Sequence, residues 1–298
     1  MLEIKKYGAI DIGSNAIRLL IANVIISEDH PPKFKKSSLV RVPIRLGQDA
    51  FVDGKISKDN IHRIIDAMQA FKLLMNVHKV ERYKACATSA MRNASNGQKV
   101  IEKILKETGV SIDIINGKKE AEIIAFTDLS ELIEDDNNYL YVDVGGGSTE
   151  FTIFSKGTIK TSKSFKMGTV RLLNNKKSVN KIIFSEVEEW VRKNTKDLKK
   201  IALIGSGGNI NKLFKLSGRT EGNPISYIYL SAQYQFLKKL TYEQRITELG
   251  LNPDRADVII PATKIFLSAM KWSNAKKIFV PKIGLADGIV KSLYYNKI

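Results

Sequence analysis

Asp143-Val144-Gly145-Gly146-Gly147-Ser148-Thr149-Glu150 is the stretch on which the reading of this chain turns. Tyr139-Leu140-Tyr141-Val142 leads into it and Phe151-Thr152-Ile153-Phe154 leads out. Two apolar, strand-forming runs therefore flank three glycines, with an acid at each end. Adjacent glycines leave no side chains over the turn, so several backbone N–H groups can converge on one anion. Gly145, Gly146 and Gly147 would supply those donors, and Ser148 and Thr149 would add hydroxyls. Asp143 and Glu150 are the residue types that hold a divalent cation or orient a water. A plain glycine hairpin remains the alternative at this point.

A second segment repeats the pattern. Ala9-Ile10-Asp11-Ile12-Gly13-Ser14-Asn15 is again a strand ending in an acid, then glycine and polar donors, and Ala16 to Val24 reads as the return strand. Two such hairpins suggest two similar lobes, each with a loop aimed at phosphate. Two unrelated hairpins are the competing reading.

Composition narrows the classes. The chain has 298 residues, enough for two lobes with their own cores, and 43% are hydrophobic, as in an ordinary globular protein. The longest apolar run, Val258 to Met270, contains Lys264 and is too short to span a bilayer, so no membrane association is expected. Met1-Leu2-Glu3-Ile4-Lys5-Lys6 lacks the apolar core of a signal peptide, and the expected location is cytoplasmic. One cysteine, Cys86, excludes an intramolecular disulfide and reads as a small core residue. His30, His62 and His78 have no metal-ligand spacing. A net charge of +17, from 48 Lys and Arg against 31 Asp and Glu, suits a polyanionic ligand. A generally lysine-rich composition would give the same count. No aromatic-interleaved basic motif points to nucleic acid, which is disfavoured as a partner.

Periodicity divides the chain further. Strands are expected over 7–12, 17–26, 34–46, 83–87 and 112–115, with helices over 58–78, 99–107 and 118–132. The second half repeats the order. Its strands fall at 139–144, 150–155, 158–166, 201–205 and 277–280, and its helices at 185–198, 209–216, 230–239, 241–249, 254–272 and 284–295. The expected domains are 1–124 and 125–298, with the last helix, 284–298, able to pack back on the first lobe.

The motifs together resemble the exopolyphosphatase / guanosine pentaphosphate phosphohydrolase family. The matching segments are Asp11 to Asn15 with Arg18-Leu19, Ala87 to Asn96, Ile115 to Ala121, Asp143 to Glu150, Met167 to Leu172, Gly205-Ser206-Gly207-Gly208 and Pro253 to Pro261. They occur in family order over nearly the whole chain. The resemblance implies an α/β fold of two actin-like, ribonuclease H-like lobes with an active-site cleft between them. It implies an exopolyphosphatase that removes terminal phosphate from inorganic polyphosphate by attack of water, with Mg²⁺ or Mn²⁺. Hydrolysis of guanosine pentaphosphate is the alternative, and a non-catalytic polyphosphate- or alarmone-binding protein is another. Homodimerisation is an open expectation.

The same resemblance sorts the site residues. Glu120 is implied as the general base or water-positioning acid, although an acid in the first turn of a helix is also what the helix dipole favours. Glu150 is a second catalytic candidate. Gly13, Ser14, Asn15, Arg92, Gly145, Gly146, Gly147, Ser148, Thr149, Ser206 and Gly207 are the phosphate-binding candidates, with Arg92 as a guanidinium clamp. Asp11, Asp143 and Glu150 are the candidate metal ligands. The chain departs from the family pattern at Ala16, Lys119, Glu122 and Ala286-Asp287.

Overall fold

The computed structural model describes residues 2–127 and 137–298. The chain forms two compact units, Met1–Thr127 with Gly284–Ile298, and Asp128–Ile283.

In the first unit, β1 (Glu3–Ile12), β2 (Ile17–Ser27) and β3 (His30–Val42) form an antiparallel meander. A short helix α1 (Leu46–Gln48) and a π-helical turn (Asp49–Asp53) lead to α2 (Lys58–Val77). Then come β4 (Arg82–Ala87), α3 (Ser89–Asn93), α4 (Gly97–Thr108), β5 (Ile112–Ile114) and α5 (Gly117–Ala125). The sheet order is β3-β2-β1-β4-β5, with β4 and β5 parallel to β1. Ser57 caps α2 by accepting from the Asn60 amide. Ile64, Ile65, Met68, Phe71 and Met75 line the buried face of that helix at helical spacing.

The second unit repeats this plan. It runs β6 (Asn138–Val144), β7 (Thr149–Ser155), β8 (Thr158–Phe165), α6 (Thr169–Asn174), α7 (Lys177–Thr195), β9 (Ile201–Ser206) and α8 (Gly208–Leu216). Next are β10 (Ile225–Ser226), α9 (Tyr227–Lys239), α10 (Tyr242–Thr247), α11 (Pro253–Ala256), α12 (Ile259–Trp272) and β11 (Lys277–Phe279). The sheet order is β10-β11-β9-β6-β7-β8. From β8 to β11 this reproduces the first sheet strand for strand, with β10 added at the edge. Both are the ribonuclease H-like sheet of an actin-like lobe. Ile259, Ala262, Ile265, Phe266, Ala269 and Met270 of α12 are fully buried, and α12 packs on β6 and β9. The closing helix, α13 (Leu285–Tyr294), belongs to the first unit and packs on β1, β2, β4 and α5.

Several boundaries differ from the periodicity reading, each for a local reason. β3 ends at Val42 rather than 46, because Pro43 has no amide for the ladder and Arg45 turns left-handed at φ 58. The expected helix over 254–272 is two helices. The ring of Pro261 excludes the carbonyl of Asp257, so the chain breaks between Ala256 and Ile259. α7 begins at Lys177, well before 185, because the Asn180 side chain ties its first turn to the Leu172 carbonyl at 2.9 Å. α1, α3 and α6 have no counterpart among the expected elements. Each is six residues or fewer, too short to show a period. Of the helix expected over 118–132, α5 accounts for Gly117–Ala125, and 128–132 lie outside the described residues. Among the described residues no helix is long and apolar enough to cross a membrane.

Candidate active site

The two hairpins are built alike. In the first, the Gly13 amide donates to the Ala16 carbonyl at 3.2 Å; in the second, the Gly145 amide donates to the Ser148 carbonyl at 3.0 Å. In the first, Asp11 stands opposite Arg18; in the second, Asp143 stands opposite Glu150. Residues opposite each other in a ladder share a face of the sheet. The row through Asp143 runs Ser206–Asp143–Glu150–Ser164 across four strands.

In the second unit the glycine loop is held, among the described residues, from the side of α6. The Thr169 amide donates to the Gly145 carbonyl at 3.0 Å. The Val170 and Arg171 amides donate to the Gly146 carbonyl at 2.8 and 3.1 Å, and Arg171 Nε donates to the Gly147 carbonyl at 3.0 Å. A trans peptide carries its C=O and the next N–H on opposite edges. With these three carbonyls turned toward the start of α6, the amides of Gly146, Gly147 and Ser148 face the other way. They take no hydrogen bond within the chain among the described residues, and three such donors on one side form an anion-binding nest. Contact between loop and α6 is close enough that a Cβ on Gly168 would lie 2.3 Å from both the carbon and the oxygen of the Gly146 carbonyl.

Asp143 is half-buried and Glu150 is 2% exposed, its Oε1 accepting from Ser164 Oγ at 2.8 Å. Gly207, at φ 107, lies beside Asp143: a Cβ there would stand 2.8 Å from the Val144 carbonyl oxygen and 3.5 Å from Asp143 Oδ1. The positive φ and the close approach both require glycine. Among the described residues no three His, Cys, Asp or Glu side chains cluster as a metal site. The Asp143–Glu150 pair nevertheless fits a magnesium ion, which usually takes one or two carboxylates and fills its other positions with water and phosphate oxygens.

Two expected hydroxyl donors are used internally. Thr149 is fully buried and its Oγ1 donates to the Met167 carbonyl. Ser206, 1% exposed, donates through Oγ to the Ile283 carbonyl at 2.8 Å.

In the first unit, Asp11 is 5% exposed and accepts from Arg18 Nη1 at 2.8 Å. Burial raises the Asp11 pKa, and the Arg18 charge and hydrogen bond oppose that rise. This carboxylate is therefore engaged by a cation of its own chain. Ser14 shares a hydrogen bond with Ser89, Oγ to Oγ at 2.9 Å, and the Ser14 and Asn15 carbonyls accept from the Gly47 and Arg45 amides. Arg92, the expected guanidinium clamp, lies in α3, half-buried, and its Nη1 donates to the Ile115 carbonyl at 2.5 Å. Of the five donors of a guanidinium, the others take no hydrogen bond among the described residues, so Arg92 can still fork onto an anion.

Glu120 sits in the first turn of α5, which Asn116 caps by accepting from the Lys119 amide at 2.8 Å. Its side chain is 8% exposed, which a dipole-stabilised surface acid would not need to be. Cys86 pairs in register with Asp11. Burial pushes the Cys86 thiol up to about 12, and the carboxylates of Asp113, Asp11 and Glu120 add to the rise against Lys84. Glu120 is thus within electrostatic reach of Cys86, which stays a neutral thiol. Of the departures from the family pattern, Asp287 pairs with Lys36 at 2.8 Å and caps the Gly284 amide, while Lys119 and Glu122 leave the cap of α5 intact.

These features define an actin-like α/β protein with a glycine nest and an adjoining carboxylate pair. Residues 26–296 match the Ppx/GppA phosphatase family, and the chain belongs to it. Exopolyphosphatase 2 of Mycobacterium tuberculosis is 26% identical over 98% of this chain and 99% of that protein. The bifunctional 3-dehydroquinate synthase/phosphatase of Fusobacterium nucleatum is 31% identical over 97% of this chain. The chain spans only 46% of that longer protein. In fold, it is similar to an exopolyphosphatase crystal structure from Cytophaga hutchinsonii, with TM-score 0.86, 24% identity and 98% of each chain covered. The Aquifex aeolicus family member gives TM-score 0.79 at 24% identity, with 99% of each chain covered.

Proposed function

We propose that this phosphatase is an exopolyphosphatase, releasing orthophosphate from the end of inorganic polyphosphate. The observation that carries the reading is the nest of amides from Gly146, Gly147 and Ser148, a set of donors with no acceptor among the described residues. Phosphoryl transfer asks little covalent chemistry of a protein; it asks for placement of phosphate, neutralisation of its charge and an aligned water. In the second unit, the nest would hold phosphate oxygens, and Asp143 with Glu150 would hold Mg²⁺. When bound, the ion would neutralise charge on the phosphates. In the first unit, Gly13, Ser14 and Arg92 would supply further donors, and Glu120 would orient the attacking water and accept its proton. The water oxygen bonds to the terminal phosphorus as the bridging P–O bond breaks, and the shortened chain leaves on the bridging oxygen.

Similarity to exopolyphosphatase 2 along its whole length supports this substrate. The second reading is a guanosine pentaphosphate hydrolase. It draws support from the guanosine-5'-triphosphate,3'-diphosphate pyrophosphatase of Aeromonas salmonicida, which is 22% identical over 97% of this chain and 60% of that protein. Phosphate release from long-chain polyphosphate, tripolyphosphate, guanosine pentaphosphate and ATP separates the readings. Polyphosphate should be used best. A preference for the guanosine nucleotide would give the second reading, and binding without release would make the protein a sensor. Glu120→Gln keeps the shape and removes the base, and should lower kcat by about 10²–10⁴-fold with little change in polyphosphate affinity. Full turnover in that variant would leave Glu120 as an acid favoured by the helix dipole only.

A further inference from the structure

We infer that Arg171 is a positioning residue of the glycine nest, acting through the Gly147 carbonyl. The inference rests on reading the nest as the phosphate site. The three carbonyls of the loop are not held alike. Those of Gly145 and Gly146 accept from the backbone amides of Thr169, Val170 and Arg171, which any sequence would present, with Thr169 Oγ1 adding only a long bond of 3.4 Å to Gly145. The Gly147 carbonyl accepts only from a side chain among the described residues, Arg171 Nε at 3.0 Å. That carbonyl and the Ser148 amide belong to one peptide, so whatever fixes the first aims the second.

The peptide is also able to turn. Gly147 has no Cβ to restrict rotation on its side. Were the peptide to flip, the Gly147 oxygen would face the bound anion in place of the Ser148 N–H, and an attraction would become a repulsion. Arg171 is tied into the structure by its own amide, which donates to the Gly146 carbonyl at 3.1 Å. It thus holds consecutive carbonyls of the loop, one by backbone and one by side chain. Its role is to keep the third amide of the nest aimed outward.

Three variants of the full chain test this. In Gln, Nε2 stands as many bonds from the backbone as Nε does in Arg, so Arg171→Gln keeps the donor to Gly147 and removes the charge. Arg171→Met keeps bulk and removes the donor. Arg171→Lys keeps charge on a flexible stem. The first measurement needs no ligand: ¹⁵N relaxation of the Gly147 and Ser148 amides. Order should be native in Arg171→Gln and lost to exchange broadening in Arg171→Met. The second is the Kd of tripolyphosphate. It should rise about tenfold in Arg171→Met, the loss of roughly one hydrogen bond to a charged ligand, with kcat changed much less than KM. Arg171→Gln should recover affinity to within about threefold, with an unchanged slope of log K against log salt.

If Arg171 instead touched the anion, Arg171→Gln would lose affinity, Arg171→Lys would keep it, and the salt slope in Arg171→Gln would fall by about 1; that pattern overturns the inference. Native relaxation in Arg171→Met overturns it as well. A wild-type protein that neither binds tripolyphosphate nor releases phosphate would sink the functional reading. The relaxation data would still decide whether Arg171 orders the loop.

Discussion

The two hairpins are copies in backbone and opposites in charge. Each ends a strand on an aspartate, turns on a glycine whose amide closes the loop, and returns with a charged residue facing that aspartate. In the first the facing residue is Arg18, and the pair is neutral and hydrogen-bonded at 2.8 Å. In the second it is Glu150, so two carboxylates share a face. Two acids side by side are costly without a cation, whereas an acid beside a guanidinium is satisfied. The comparison teaches that one loop geometry serves two purposes. The first hairpin carries its own ion pair, and the second is the one proposed to take a cation and the phosphates that accompany it.

The largest test of that contrast is Glu150→Gln. Removing one charge from the second pair should lower kcat by about 10²–10⁴-fold and weaken Mg²⁺ dependence, measured as rate against free Mg²⁺. An unchanged metal titration would end the assignment of Asp143 and Glu150 as a cation pair. Next in size is Gly168→Ala. A Cβ 2.3 Å from the Gly146 carbonyl must push loop and helix apart, costing about 1–3 kcal/mol in denaturant unfolding and loosening phosphate binding with it. Wild-type stability would mean that the loop is not clamped as described.

The first hairpin should respond in stability. Arg18→Met leaves the buried Asp11 carboxylate without its charged partner. Since Arg18 is 34% exposed and solvent already screens the pair, the loss should be about 1 kcal/mol. The smallest effect is a pH dependence. Asp11 has its pKa raised on folding, so the folded state binds the proton more tightly than the unfolded state. Its contribution is present at low pH and is lost as pH rises through the raised value. Melting temperature of Asp11→Asn minus wild type should therefore increase with pH across the acid range, and further in an Arg18→Met background. A flat difference would mean that Arg18 fully offsets the burial.

Much of the fold was legible in sequence because its signals are local. Apolar runs marked the strands on both sides of each glycine turn, and Ile64, Ile65, Met68, Phe71 and Met75 marked α2 at helical spacing. The doubled hairpin pointed to two lobes, and the sheets repeat strand order accordingly. Short helices were invisible, and one of them, α6, turned out to hold the glycine loop. At the site, residue types were readable but their employment was not. Thr149 and Ser206 look like phosphate donors in sequence, yet their hydroxyls serve the Met167 and Ile283 carbonyls. Arg171 carried no signal at all beyond its place in a motif; its partner is a carbonyl 24 residues away.

By itself, the sequence determined the fold class, the two turns and the acids that end their strands. Periodicity, glycine and charge act over a few residues, and a few residues suffice to show them. Tertiary structure decided which charges cancel, which hydroxyls are spent, and which face of the glycine loop is left open. It also decided that Gly288 of the closing helix lies so near α5 that a Cβ there would stand 2.1 Å from the Ile123 carbonyl oxygen. Those outcomes depend on partners brought together from distant parts of the chain, and a hydrogen-bond donor has no preference for an acceptor until packing presents one.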